Sequence, residues 1–305
     1  MNVLGVDENG MGPRLGPLVA TAVLLRGRSY NAERTRAAAK ATGIDDSKAT
    51  GAFGRMAACE SLTLALLEAV GEPIPRIVDD LLASVALGGL LDLRAPCPST
   101  TRAQCWGDTF ELPACGGSLE AGRTMLEPLA KLGLRPTRVR SALLCPNVLN
   151  AEFEKGTSKL VIDLDAFERL ILDAHRATGT RIEALCGMVG GMRNYGAYFQ
   201  HLRAEDITVQ AEERKFALYS VRGLGRVRFE VDADALHTPV ALASMVGKYL
   251  RELWMERQNR FYASQDPSLP MPSGYHDPVT ARFVEASAPL RRRLHIADTC
   301  FERTR

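Results

Sequence analysis

The chain has no apolar run approaching the roughly 20 consecutive residues that span a bilayer, which argues against a membrane-embedded role. Its first residues enter a strand pattern at once and lack the basic, apolar and small-residue zones of a secretory leader, so the expected location is cytoplasmic. The seven cysteines are odd in number and show no Cys-x-x-Cys pairing. That spacing argues against a structural zinc site or a disulfide framework, and for thiols kept reduced. Neither sign of charge dominates: 38 Lys and Arg against 36 Asp and Glu leave a formal charge of +2. Nucleic-acid binding would therefore need a local basic patch. Arg291-Arg292-Arg293, with Arg282, Arg303 and Arg305 nearby, is one candidate and is equally an ordinary solvated helix end. Internal repeats and low-complexity tracts are also lacking. What remains is ordinary for a globular protein: 305 residues, 46% hydrophobic and 24% charged, enough for one large domain or two smaller ones.

Apolar patterning predicts strands over 3–8 and 17–25, joined as an antiparallel hairpin, and a helix over 54–70. Residues 71–125 change character, with Pro73, Pro75, Pro96, Pro98 and Pro113 around one helix near 77–92. Regular patterning resumes as a strand over 137–144. A helix follows over 164–178, with Leu164, Phe167, Leu170, Ile171 and Ala174 at helical spacing and Gly179 as its stop. Residues 181–187 read as a strand, as do 228–234. A long helix runs over 239–262, and turn chemistry at 272–280 precedes a last helix. Alternating strands and helices make an α/β domain.

The densest chemistry lies in Val3-Leu4-Gly5-Val6-Asp7-Glu8-Asn9-Gly10-Met11-Gly12, which delivers two adjacent carboxylates into a glycine-rich turn. Side chains alternate along a strand, so Asp7 and Glu8 serve one site only if the strand ends or bends there. Gly10, Gly12 and Gly16 leave backbone uncovered for a bulky ligand. Acid beside bare backbone points to divalent metal and nucleic acid together. The passage resembles the signature of the ribonuclease HII (type 2 ribonuclease H) family, in which a strand-borne Asp-Glu precedes a Gly-Arg-Gly turn. Here that turn is Gly10-Met11-Gly12.

Further resemblances follow in order along the chain: Asp46-Ser47-Lys48, the Cys145–Asn150 stretch, and the strand ending in Cys186-Gly187. Ala243-Ser244-Met245-Val246-Gly247-Lys248-Tyr249-Leu250-Arg251-Glu252 continues the series, with Glu252 where the family has aspartate, and Tyr275-His276-Asp277-Pro278-Val279-Thr280 closes it. The resemblance implies a ribonuclease H-like mixed β-sheet flanked by helices, with a C-terminal helical extension. Residues 1–70 and 126–238 would form the catalytic core, 71–125 a loop-rich insertion, and 239–305 a helical region packing on the core.

Phosphodiester hydrolysis needs a water made nucleophilic and a leaving oxyanion stabilised. Two Mg²⁺ or Mn²⁺ ions about 3.5–4 Å apart do both when held by carboxylates. By resemblance, Asp7 and Glu8 supply the first two acids and Glu252 another. Cys186 stands where the family carries its strand-end aspartate, and a soft thiol suits Mg²⁺ poorly. Asp234 is the reserve ligand. The backbone of Gly10, Met11 and Gly12 would read a 2′-hydroxyl, Tyr275 would stack on the sugar, and Lys48 and Lys248 would hold phosphates. The paired glycines after Cys186 lack a phosphate-loop pattern, and no spacing supports pairing Cys186 with His175 or His201 as a nucleophile. The implied activity is cleavage of the RNA strand of RNA/DNA hybrids, or of ribonucleotides embedded in duplex DNA. The alternative is a nucleic-acid-binding relative with weak or no catalysis, which Cys186, Met11 and Glu252 favour. No protein partner is implied.

Overall fold

The computed structural model describes residues 1–45, 54–98, 104–106 and 108–305. Asp46-Ser47-Lys48, with the expected phosphate-holding Lys48, lies outside the described residues. Among those described, the strands are β1 (Asn2–Asn9), β2 (Leu18–Arg26), β3 (Arg135–Leu144), β4 (Ile182–Gly187), β5 (Ile207–Glu212), β6 (Phe216–Val221) and β7 (Gly225–Glu230). The helices are α1 (Ala32–Lys40), α2 (Ala57–Ala69), α3 (Val78–Val85), α4 (Gly89–Arg94), α5 (Leu119–Lys131), α6 (Pro146–Glu154), α7 (Lys159–Thr178), α8 (Ala233–Leu236), α9 (Thr238–Gln265), α10 (Pro278–Arg293) and α11 (Asp298–Phe301).

The strands form one sheet in the order β3-β2-β1-β4-β7-β6-β5. β1, β2 and β3 make an antiparallel meander, β1, β4 and β7 run parallel, and β7, β6 and β5 are antiparallel. The expected first hairpin and the mixed sheet with flanking helices are both present, and helices close the C-terminal end. The β5–β6 hairpin was not anticipated, although Ile207, Val209 and Ala211 alternate with polar residues along β5; the strand is largely exposed.

β1 and β4, at the centre of the sheet, are mostly apolar because both of their faces are covered. On one face, Leu164, Phe167, Leu170, Ile171 and Ala174 of α7 pack against Leu4, Val6, Ala184 and Cys186. This is the stripe that helical spacing predicts. Ser158 caps the N-terminus of α7, and Gly179, in the left-handed conformation, ends it. On the other face lies α9, whose first turns approach β1 closely. A Cβ on Gly5 would stand 2.0 Å from the carbonyl carbon of Pro239, so only glycine lets α9 begin there. Further along α9, Leu242, Met245, Val246, Tyr249 and Leu253 share a core with α2 and α5. A third cluster joins Met255, Phe261 and Tyr262 of α9 to Phe283, Leu290 and Phe301, and to Leu15 beyond the glycine turn.

The segment 71–125 is woven into this core. Val78, Leu81, Leu82 and Val85 of α3 are wholly buried in the same cluster as α2 and α9. Glu60, buried on α2, accepts the backbone N–H groups of Ala114, Cys115 and Gly117 at 2.6–2.8 Å and the Tyr249 hydroxyl at 2.6 Å. Cys97, Cys105 and Trp106 meet Cys145, Trp254 and Cys300 around a small apolar cavity. α5 runs through the expected boundary at 125. Among the described residues no cysteine is in a disulfide, and no described helix is long and apolar enough to cross a membrane.

Candidate active-site cleft

β1 ends at Asn9, and its register sets Val6 opposite Cys186, so Asp7 and Glu8 emerge beside the end of β4. A Cβ on Gly187 would lie 2.5 Å from Asp7 Oδ1 and 3.5 Å from Glu8 Oε2. Two side chains from adjacent strand positions thus reach one spot, and the glycine after Cys186 makes the room for them. Cys186 is wholly buried under α7. Burial, with the Asp7 charge added, pushes its thiol well above the ordinary range, so it is no thiolate at neutral pH. His201 is engaged with Asp165 at 2.8 Å and His175 with the Thr180 carbonyl at 3.1 Å, so both lie in other networks.

A cleft of about 440 Å³ opens over this strand end. Asp7, Glu8, Gly10, Met11, Asp234, Lys248 and Tyr275 all line it, bringing together residues read from widely separated stretches of sequence. Gly12 is exposed and outside the lining residues. Asn9, Glu230, Asp232 and Ser244 line the cleft too. The strand expected over 228–234 stops at Glu230. Asp232 turns the chain at φ 54°, a conformation Asp tolerates better than most residues. That turn carries Asp234 on α8 to the cleft rather than along the sheet.

Glu252 is 7% exposed and not among the lining residues. It lies one helical turn after Lys248, accepts that ammonium at 2.9 Å, and is also hydrogen-bonded by the Arg251 guanidinium. Two cations therefore occupy the carboxylate expected to bind metal. Arg251, itself buried, stands 4.5 Å over the Tyr275 ring, and the Lys248 ammonium is 5.8 Å from the same ring. Tyr275 is 41% exposed, so its other surface is free for a ligand.

Behind the glycine turn, Arg303 donates to the Gly16 carbonyl at 2.9 Å and to the Gly10 carbonyl at 2.5 Å. The turn lacks its own arginine, but two from the C-terminal half stand against it. Asn150, from the Cys145–Asn150 stretch, lies within α6 and fixes the same tail. Its amide donates to the carbonyls of Thr299 and Glu302, and its oxygen accepts the Thr304 N–H.

The acidic wall of the cleft is crowded. Burial raises the Glu8 carboxyl well above its ordinary range, and the charges of Asp163, Asp7 and Asp234 add to the effect. Asp163, on α7, is fully buried (0% exposed), and neither of its oxygens has a hydrogen-bond partner among the described residues. Burial and then Asp7 raise its carboxyl as well. Glu230 differs: burial opposes its charge, yet Arg228 at 2.7–2.8 Å and His237 at 2.9 Å hold it below the usual range. Sequence reading passed over Asp163, although an aspartate four residues before Phe167 sits on the buried stripe of α7. Among the described residues, no three His, Cys, Asp or Glu groups stand gathered as a metal site. The fit to a metal is one of chemistry: Asp7, Glu8 and Asp234 offer hard oxygen donors, and the like charges and orphaned oxygens around them are what a Mg²⁺ or Mn²⁺ ion would neutralise.

Fold and cleft together define an α/β protein with an acidic strand-end site beside a glycine turn. No family model and no curated protein matches the chain. Among solved structures it is similar to the RNase HII of Archaeoglobus fulgidus in its complex with PCNA, at 17% identity and TM-score 0.48, covering 100% of this chain and 95% of that one. It is also similar to the ribonuclease H2 of Pyrococcus horikoshii, at 15% identity and TM-score 0.48, covering 99% and 92%. Bst-RNase HIII in complex with Mn²⁺ matches at 16% identity and TM-score 0.45, covering 98% and 68%.

Proposed function

We propose that the chain is a metal-dependent endoribonuclease of ribonuclease HII type, acting on the RNA strand of RNA/DNA hybrids or on ribonucleotides within duplex DNA. The observation that carries this reading is the meeting, in one cleft, of Asp7, Glu8 and Asp234 with the glycine-turn backbone, Lys248 and Tyr275. Asp7, Glu8 and Asp234 would hold Mg²⁺ or Mn²⁺. When bound, the metal supplies an activated water and charge stabilisation for the leaving oxygen. The remaining parts recognise substrate. Backbone groups at Gly10 and Met11 approach the 2′-hydroxyl, the feature that separates ribose from deoxyribose. Tyr275 stacks on the sugar, backed by Arg251, and Lys248 presents positive charge to a phosphate. Glu252 acts here as a positioning residue that fixes Lys248 and Arg251.

The test is a duplex carrying one ribonucleotide, incubated with Mg²⁺ or Mn²⁺. The reading expects a cut at the ribonucleotide that EDTA and Asp7→Asn both abolish. Equal background with the wild type and Asp7→Asn would overturn it. A second reading, nucleic-acid binding with weak or no catalysis, is favoured by the buried thiol of Cys186 at a carboxylate position. It expects tight binding of the same duplex with no metal-dependent cut.

A further inference from the structure

We propose that Asp163 of α7 takes over the ligand place that Cys186 leaves empty on β4, completing a set of four carboxylates with Asp7, Glu8 and Asp234. The inference rests on the reading of the cleft as a metal-dependent nuclease site. Asp163 is fully buried, and both of its carboxyl oxygens lack a hydrogen-bond partner. A buried, unpartnered carboxyl opposes folding, and among the described residues no hydrogen bond or ion pair to Asp163 offsets that cost. Its position explains what the group is for. α7 covers the sheet face on which Cys186 packs, and Leu164 and Phe167, its neighbours on the helix, share a core cluster with Cys186. Asp163 is also the acid that bears most strongly on Glu8, and Asp7 is the charge that bears on Asp163. The orphaned oxygens therefore lie within electrostatic reach of Asp7 and Glu8, on a helix that packs on the sheet face of Cys186. One acid removed from the strand and one supplied from the helix packed on it leave the number of carboxylates unchanged. A divalent ion would give Asp163 the partner that the protein does not.

The test measures metal binding directly, by titration calorimetry with MnCl₂ and by the electron paramagnetic resonance signal of free Mn²⁺. The proteins are the wild type, Asp7→Asn, Asp163→Asn and the double variant Asp163→Asn/Cys186→Asp. Thermal melting in EDTA reports that each is folded. Asp163→Asn is expected to melt in EDTA at or above the wild-type temperature, because an uncompensated acid is gone. It is expected to bind Mn²⁺ at least roughly 10-fold more weakly. The double variant, with its carboxylate returned to the strand, is expected to recover binding. Asp163→Leu, which fills the same buried space with an apolar group, carries the same binding expectation if Asp163→Asn fails to fold. Wild-type Mn²⁺ affinity in a folded Asp163 variant, with binding lost in Asp7→Asn, would overturn this inference and leave the nuclease reading standing. Absence of Mn²⁺ binding by the wild type would overturn both.

Discussion

The two walls of the cleft handle charge in opposite ways. On the basic wall, Lys248 and Arg251 meet Glu252, Arg251 also reaches the Ser273 carbonyl and covers Tyr275, and Glu230 nearby is tied to Arg228 and His237. Each charge there has a protein counterpart. On the acidic wall stand Asp7, Glu8 and Asp234, with the buried Asp163 in electrostatic reach; burial raises Glu8 and Asp163, and the neighbouring acids add to it. Close carboxylates raise one another's pKa, and a bound cation relieves the same repulsion. The basic wall is complete as folded, whereas the acidic wall calls for a cation. Under the proposed function their difference separates two glutamates that look alike in sequence: Glu8 lies on the wall that would bind metal, and Glu252 on the wall that would position substrate.

The sharpest way to break the comparison is Asp7→Asn. Removing one charge from the acidic wall is expected to lower metal-dependent cleavage on the order of 10³-fold, read as single-turnover cutting of a ribonucleotide-bearing duplex. Glu252→Gln should act differently. It strips the counter-charge from two largely buried cations and is expected to cost about 3 kcal/mol of stability by chemical denaturation, with Mn²⁺ affinity unchanged. A large loss of Mn²⁺ affinity in that variant would return Glu252 to the metal site and erase the distinction between the walls. Gly187→Ala pushes a methyl group against Asp7 Oδ1. About 1–3 kcal/mol of destabilisation is expected on melting, together with weaker Mn²⁺ binding. Tyr275→Ala removes an exposed ring from the substrate side. Its expected effect is the smallest, about 1 kcal/mol or roughly fivefold in duplex binding, with Mn²⁺ affinity untouched.

Much of this molecule was legible before folding. The β1–β2 hairpin follows from two continuous apolar runs around a glycine turn, because both faces of those strands are buried, and α7 with its glycine stop follows from helical spacing. The cleft residues Asp7, Glu8, Gly10, Met11, Lys248 and Tyr275 could be chosen from motif order, and all of them line one cavity. Direction was harder to read. Glu252 matched a motif by position along the helix, but sequence spacing does not say that Lys248, one turn earlier, and Arg251 would draw its carboxylate away from the cleft. Asp234 reaches the cleft through a left-handed turn at Asp232 that reads from sequence as continued strand. The segment 71–125 has proline-rich loop chemistry, yet its α3 supplies four buried side chains to the main core. Asp163 was visible as an acid on an apolar helical stripe, but its meaning depends on which strand α7 covers, a tertiary fact.

The central claim is that the acidic wall binds divalent metal and the basic wall does not. Crystals grown with MnCl₂ and recorded with anomalous diffraction test it most directly. The account predicts anomalous density among Asp7, Glu8, Asp163 and Asp234, with Glu252 still bound to Lys248 and Arg251. Density coordinated by Glu252, or none beside Asp7 at millimolar Mn²⁺, would contradict it.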